Sequence, residues 1–245
     1  MKPLIIGASG QLGRVLSPYF PEAETPSHKE MDILWLEAMQ SHLAFSHYDT
    51  VIVLAGLKNQ DQIERSGHDA LQANIIALAN IVQVLSRIKY SSRKKLVYVS
   101  TEYVYPGTDG NYCEADPILP QNRYIWSKIG AEACIHMLDE QDYLIIRCAF
   151  STKPWHRKDA YVDQWTSREE VSDIAAKIAK LIIAGACGTF NVGCKRRRLW
   201  DYANSIKSDN ENEVIERSYL IDRKVPRDTS MNTTKYDNFI KEHNL

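Results

Sequence analysis

The chain has 245 residues, 44% of them hydrophobic, enough for one large domain or a core with a small appendage. Lys and Arg number 30 against 31 Asp and Glu, so no overall field points to nucleic acid or a membrane surface. Five cysteines, Cys113, Cys134, Cys148, Cys187 and Cys194, form no C-x-x-C pair, and reduced thiols in a cytoplasmic protein are the simplest account.

The N-terminus enters a strand at Pro3-Leu4-Ile5-Ile6, leaving no room for a signal peptide, and no apolar run is expected to reach membrane-spanning length. That strand runs into Gly7-x-x-Gly10-x-x-Gly13, and Gln11, Leu12, Val15 and Leu16 begin a helical pattern. Glycines at such a junction permit a tight turn and let a phosphate approach backbone N–H groups, although the spacing departs from G-x-G-x-x-G. Pro21 to Pro26 makes a poor strand, short or irregular. Ile33, Leu36, Met39 and Leu43 give helical spacing across 32–47, and Thr50 to Leu54 reads as a buried parallel strand ending at Ala55-Gly56. The apolar positions from Ile63 to Leu85 predict one long helix or two within 62–87, with Asn74 inside.

Leu96 to Val99 forms the next strand, ending on Ser100-Thr101. A rigid loop from Gly107 to Gln121 leads to a helix carrying Tyr124 and Lys128. Residues four apart share a helix face, so this phenol and amine can enter one cleft. A free tyrosine, with a pKa of about 10, is a poor proton shuttle near neutrality, and an adjacent ammonium favours its phenolate. A hydroxyl from Thr101 would complete a site for a carbonyl or alcohol oxygen. A Tyr-x-x-x-Lys pair alone is more often an ordinary solvated helix face; the glycine turn changes that balance.

Asp142 to Arg147 is the following strand, Ser151 to Asp163 a brief polar link, Ile174 to Ile183 an amphipathic helix, and Gly188 to Val192 another strand. Lys195 to Arg198 is the strongest charge run, more often a solvated loop than a contact for a phosphate or an acidic partner surface. Strand–helix alternation predicts an α/β chain with a Rossmann-type doubly wound parallel sheet and a small reduced C-terminal substrate lobe. Residues 1–150 would form the NAD(P)-binding core, and 151–245 the small lobe plus returning core elements, in one structural unit. The histidines other than His28 have no metal-like spacing and read as structural or surface residues.

Three motifs carry a resemblance: GASGQLG at Gly7–Gly13, STEYVYPG at Ser100–Gly107 and YIWSKIGAE at Tyr124–Glu132. They resemble G-x-x-G-Q-L-G, S-T-D-Y-V-F-D-G and Y-G-x-S-K-x-x-G-E of the extended short-chain dehydrogenase/reductase superfamily, most like the dTDP-4-dehydrorhamnose reductases and related sugar-nucleotide reductases. Glu102, Ile125 and Ala131 depart from that pattern. The resemblance implies an NADPH-dependent reductase acting on a keto group of a nucleotide-activated sugar, in polysaccharide biosynthesis. Thr101, Tyr124 and Lys128 would be catalytic, with Tyr124 the proton donor and Lys128 lowering its pKa.

By the same resemblance, Gly7, Ser9, Gly10, Gln11, Leu12, Asp32, Ile33, Leu54, Ala55, Gly56, Asn74, Ser100, Tyr124 and Lys128 would hold the cofactor. Ser27, His28 and Lys29 fall at the adenosine ribose with no carboxylate among them, which favours NADP(H), with NAD(H) the alternative. Thr101, Glu102, Phe150, Trp165 and Arg227 would meet the substrate; Arg227 lies in the stretch from Lys224 to Lys235 that is similar to the family's C-terminal motif. Lys58 departs from the family and is either a contact to a substrate phosphate or an exposed loop charge. The acidic pair of related dehydratases is absent from Thr101-Glu102-Tyr103, which disfavours dehydration. A 4-epimerase, or a non-catalytic NADP-binding regulatory module, remains the alternative, and pairing through helices into a homodimer is left open.

Overall fold

The computed structural model describes residues 1–45, 47–88, 94–207, 214–219 and 225–245; Lys224 of the C-terminal motif lies outside them. The central sheet is built from β1 (Pro3–Ile6), β2 (Thr50–Val53), β3 (Lys95–Thr101), β4 (Tyr143–Cys148) and β9 (Gly188–Val192), all parallel in that order. Their nearly continuous apolar runs follow from burial on both faces. One face carries α1 (Gln11–Leu16), α7 (Val171–Ile183) and α9 (Thr234–Glu242), whose Leu12, Leu16, Ile174, Ile178 and Tyr236 pack on Ile5, Ile52, Leu144 and Ile146. The other carries α2 (Leu36–Phe45), α5 (Ala77–Ile88) and α6 (Arg123–Ile135) over Leu4, Ile6, Val51, Leu96 and Ile145. The predicted doubly wound α/β fold is present.

The weak strand after α1 shrinks to one bridge, Leu4 beside Glu24, with hydrogen bonds Ile5 N to Glu24 O (2.8 Å) and Glu24 N to Pro3 O (3.0 Å). Pro21 and Pro26 lack the N–H groups a longer ladder needs. Two expectations change. The helix after Asp32 begins at Leu36, because Asp32 Oδ1 accepts from Leu34 N (2.9 Å) and holds a turn there. The stretch 62–87 is two helices, as the pattern allowed: a short α3 (Gln60–Arg65), then a continuous run of α4 (Gly67–Ala70), a π-helical turn (Leu71–Ile76) and α5. The run Gly67–Ile88, 22 residues, is long and apolar enough to cross a bilayer by length and composition, contrary to expectation. In this fold its Leu78, Ile81, Val82 and Leu85 pack on the sheet.

The segment read as a polar link contains β5 (Phe150–Ser151) and β6 (Asp159–Tyr161), paired in parallel with β8 (Glu169–Glu170) and β11 (Ile215–Arg217). With β7 (Trp165–Thr166), β10 (Arg197–Arg198) and α8 (Leu199–Ser205), these form the small lobe around Trp155, Ala160, Leu199, Tyr202 and Ile206. The charge run is tied into it: Arg196 pairs with Asp228 at 2.8 Å, Arg197 lies over the Tyr202 ring and Arg198 pairs with Asp201 at 2.8 Å.

Candidate active site

The turn after β1 needs its glycines. Gly7 has φ +91°, and a Cβ there would stand 2.6 Å from Ala55 N; a Cβ on Gly13 would meet Gly7 O and Ala8 O at 2.5 Å. The turn therefore closes against the end of β2 and leaves a cleft with largely backbone walls. Gly7, Gly10, Gln11, Leu12, Leu54, Ala55, Gly56, Ser100, Tyr124, Lys128 and Phe150 line it, joined by Gly13, Leu57, Lys58 and Val99.

The reactive groups come from β3 and α6. Asn122 caps α6 by accepting from Ile125 N (2.9 Å), and the helical period brings Tyr124 and Lys128 to the cleft together. The Thr101 hydroxyl accepts from Tyr103 N (3.3 Å) and stands near enough to the Tyr124 phenol to pull its pKa down. Burial pushes Tyr124 up to about 12, against the pull of Thr101 and of the Arg168 charge. Lys128 donates to Val99 O (2.8 Å), lies over the Tyr98 ring and is brought down to about 8 by burial. Burial, and not the Lys128 ammonium, thus sets the direction of the phenol's shift in this arrangement. Ser100 Oγ is buried and has no hydrogen-bond partner among the described residues. A glycine-walled cleft, a buried hydroxyl without a partner and two lysines with no carboxylate among the lining residues fit an anionic, hydrogen-bonding dinucleotide.

Other expected residues stand back from the cleft. Ser9 is on the exposed tip of the turn, its carbonyl taken by Arg14 Nε (2.9 Å). Ser27, His28 and Lys29 form an exposed turn in which Glu30 Oε2 accepts from Ser27 N (2.7 Å), so a carboxylate does sit at the place where none was expected. Asp32 holds its own turn and Ile33 packs beneath α5. Asn74, within the π turn, acts through Leu57: its amide accepts from Leu57 N (2.7 Å) and donates to Leu57 O (2.9 Å) and Ser127 Oγ (2.8 Å). It positions the cleft wall and does not line it.

Glu102 is the clearest correction. It is 0% exposed, its carboxylate accepting from Thr166 Oγ1 and from Ser167 N (3.1 Å), so it ties the lobe to the core and cannot reach a substrate. Burial raises its pKa, while the Arg168 charge opposes that rise. Trp165 and Arg227 do come together, outside the glycine-walled cleft: the guanidiniums of Arg196 (4.4 Å from the indole centroid) and Arg227 (5.5 Å) both lie over the indole. Sequence reasoning missed Arg168, which donates to Phe150 O and Ser151 Oγ (3.2 Å) and whose buried Nε has no partner among the described residues. Nothing in its local sequence signals that role. The motif ends are joined by a buried ion pair, Arg147 Nη2 to Glu132 Oε2 at 2.7 Å, extended by Arg147 Nη1 to Tyr105 OH (3.1 Å) and Tyr105 OH to Asn191 Oδ1 (2.7 Å).

A parallel α/β sheet with a glycine-walled cleft at its strand ends, flanked by Tyr124, Lys128 and Thr101, defines a Rossmann-type fold of the extended short-chain dehydrogenase/reductase kind. Residues 1–213 match the model of the RmlD substrate binding domain, and the chain belongs to that family. It is 28% identical over 148 residues to a dTDP-4-dehydrorhamnose reductase of Aggregatibacter actinomycetemcomitans, covering 58% of this chain and 49% of that protein. It is 25% identical over 208 residues to methionine adenosyltransferase 2 subunit beta of Rattus norvegicus, covering 73% and 61%. The matched stretch thus spans about three fifths of that relative's length. Among solved structures, a hypothetical dTDP-4-dehydrorhamnose reductase from Sulfolobus tokodaii is similar with a TM-score of 0.82 at 25% identity, covering 97% of this chain and 94% of that one. The Bacillus anthracis dTDP-4-dehydrorhamnose reductase in complex with NADP shares the fold, with a TM-score of 0.82 at 24% identity over 97% and 91%.

Proposed function

We propose that this chain reduces a keto group on a nucleotide-activated sugar, using NADPH. The observation that carries the reading is the convergence of Tyr124, Lys128 and Ser100 on the glycine-walled cleft, with Thr101 close to the phenol. Gly7, Gly10, Gln11, Leu12 and the β2 end would hold the dinucleotide, and Lys128 its nicotinamide ribose. NADPH, when bound, supplies the hydride. Tyr124, held near 12, stays protonated at neutral pH and is poised to give its proton to the oxygen of the keto group as that oxygen gains charge. Thr101, beside the phenol, would add a second hydrogen bond to that oxygen, and the buried setting strengthens such bonds. The Arg196 and Arg227 guanidinium groups gathered at Trp165 suit a nucleotide diphosphate. The burial of Glu102 removes the one acid next to Thr101 and argues against dehydration.

A panel of nucleoside-diphosphate 4-keto sugars and other carbonyl compounds, followed by NADPH oxidation, tests this. Stoichiometric oxidation with a nucleotide sugar supports it; interconversion without net oxidation indicates a 4-epimerase; activity only on non-nucleotide carbonyls removes the sugar-nucleotide assignment. The likeness to methionine adenosyltransferase 2 subunit beta over 73% of this chain favours a second reading, a nucleotide-binding regulatory module without turnover. Intact Thr101, Tyr124 and Lys128 favour catalysis over it.

A further inference from the structure

Lys58 is the feature of the cleft that family resemblance leaves without a role. It stands in the segment between β2 and α3, and both neighbours are fixed: Leu57 is held through its N–H and C=O by Asn74, and Asn59 caps α3 by accepting from Gln62 N (3.1 Å). Its backbone is therefore set, unlike that of an ordinary loop lysine. The side chain reaches across the mouth of the cleft and donates to Oε1 of Gln11, 47 residues away in sequence and directly after the glycine turn.

That partner is a neutral amide. The residues lining the cleft include Lys58 and Lys128 but no aspartate or glutamate, and Lys128 is already engaged by Val99 O. Partial burial lowers the Lys58 pKa, the mark of an ammonium losing water without gaining a counter-charge. A cation in that position gains most from an anion delivered by the ligand. Gly7, Gly10 and Gly56 place no side chain between Lys58 and a ligand lying on the turn.

We propose that Lys58 is the ammonium that pairs with the diphosphate of the dinucleotide, and that its bond to Gln11 is a strap across the cleft mouth which this anion replaces. The proposal rests on the reading that the cleft takes NADP(H). It assigns to one side chain, outside the family pattern, part of the charge recognition that the turn otherwise makes through backbone N–H groups.

Direct binding to wild type, Lys58→Gln and Lys58→Arg separates the possibilities, with three probes: NADPH, ADP-ribose, which keeps the diphosphate but lacks the nicotinamide, and adenosine 2′-monophosphate, which lacks the diphosphate. Lys58→Gln is expected to bind NADPH and ADP-ribose about tenfold more weakly, by loss of a charge-assisted hydrogen bond, while Lys58→Arg retains most of the affinity. Adenosine 2′-monophosphate should bind all three proteins alike. The ADP-ribose difference should shrink as salt screens the pair. ADP-ribose binding unchanged in Lys58→Gln overturns the proposal, as does an equal loss for ADP-ribose and adenosine 2′-monophosphate. A wild type that binds none of the probes instead overturns the dinucleotide reading itself, and the proposal falls with it. Lys58 is exposed, so the variants should melt with the wild type, and binding differences report the contact rather than folding.

Discussion

Replacing Asn74 with alanine removes a side chain that never lines the cleft and should still weaken cofactor binding. Its buried amide makes three hydrogen bonds, two to Leu57 and one to Ser127. Ser127 keeps its bond to Tyr124 O (2.7 Å), but the Leu57 N–H and C=O lose their partners. Leu57 is half-buried, so water recovers part of the loss, and the expected cost is about 2–3 kcal/mol. For a chain of this length that corresponds to a fall in Tm of roughly 4–12 °C. Because Leu57 lines the cleft, NADPH affinity should fall as well. Urea unfolding with unchanged m, paired with NADPH titration by fluorescence, measures both. Asn74→Asp keeps the acceptor for Leu57 N but places an oxygen against Leu57 O. Burial should raise the new carboxyl's pKa, so this variant should regain stability as pH falls and the carboxyl takes up a proton. Loss of under about 0.5 kcal/mol in the alanine variant, with unchanged affinity, would refute the idea that this side chain holds the cleft wall.

Lys128 falls from the ordinary 10.5 to about 8 in the folded chain, so the unfolded chain binds more protons between those values and stability should rise with pH across that window. Unfolding from pH 7.5 to 10 should show this rise relative to Lys128→Met, by up to about 3 kcal/mol; parallel curves contradict it. Glu102 has the opposite sign: its folded pKa is raised, so relative to Glu102→Gln the wild type should lose stability as pH rises through that value. A constant difference between the two across pH 4 to 8 counts against a buried carboxylate. Glu30, held on Ser27, places negative charge where a 2′-phosphate is expected, so Glu30→Gln should shift the affinity ratio towards NADPH over NADH. An unchanged ratio means that the ribose end lies elsewhere.

Local chemistry was readable where one segment set it. GASGQLG announces its turn because Gly7 and Gly13 stand where a Cβ would strike backbone, and Tyr124 and Lys128 share a face by helical period alone. The apolar runs of β2 and β4 required burial on both sides. What stayed hidden depends on partners distant in sequence. Glu102 looked like a substrate ligand beside Thr101 until Thr166 and Ser167 closed over it. Ser27 looked free of acid because Glu30 reaches it only through a turn, and Lys58 meets Gln11 only once β1 and β2 pair. The basic run read as a solvated loop, yet Trp165, Asp228, Tyr202 and Asp201 hold its arginines. Arg168 carried no local signal at all.

The central claim is that the Tyr124 phenol gives the proton in a reduction carried out in this cleft. The direct measurement compares wild type and Tyr124→Phe for NADPH binding and for NADPH oxidation with a nucleoside-diphosphate 4-keto sugar. The account predicts near-equal NADPH affinity and a fall in turnover of about a hundredfold or more. Wild-type binding with no turnover on any carbonyl, or a phenylalanine variant as fast as the wild type, would contradict it.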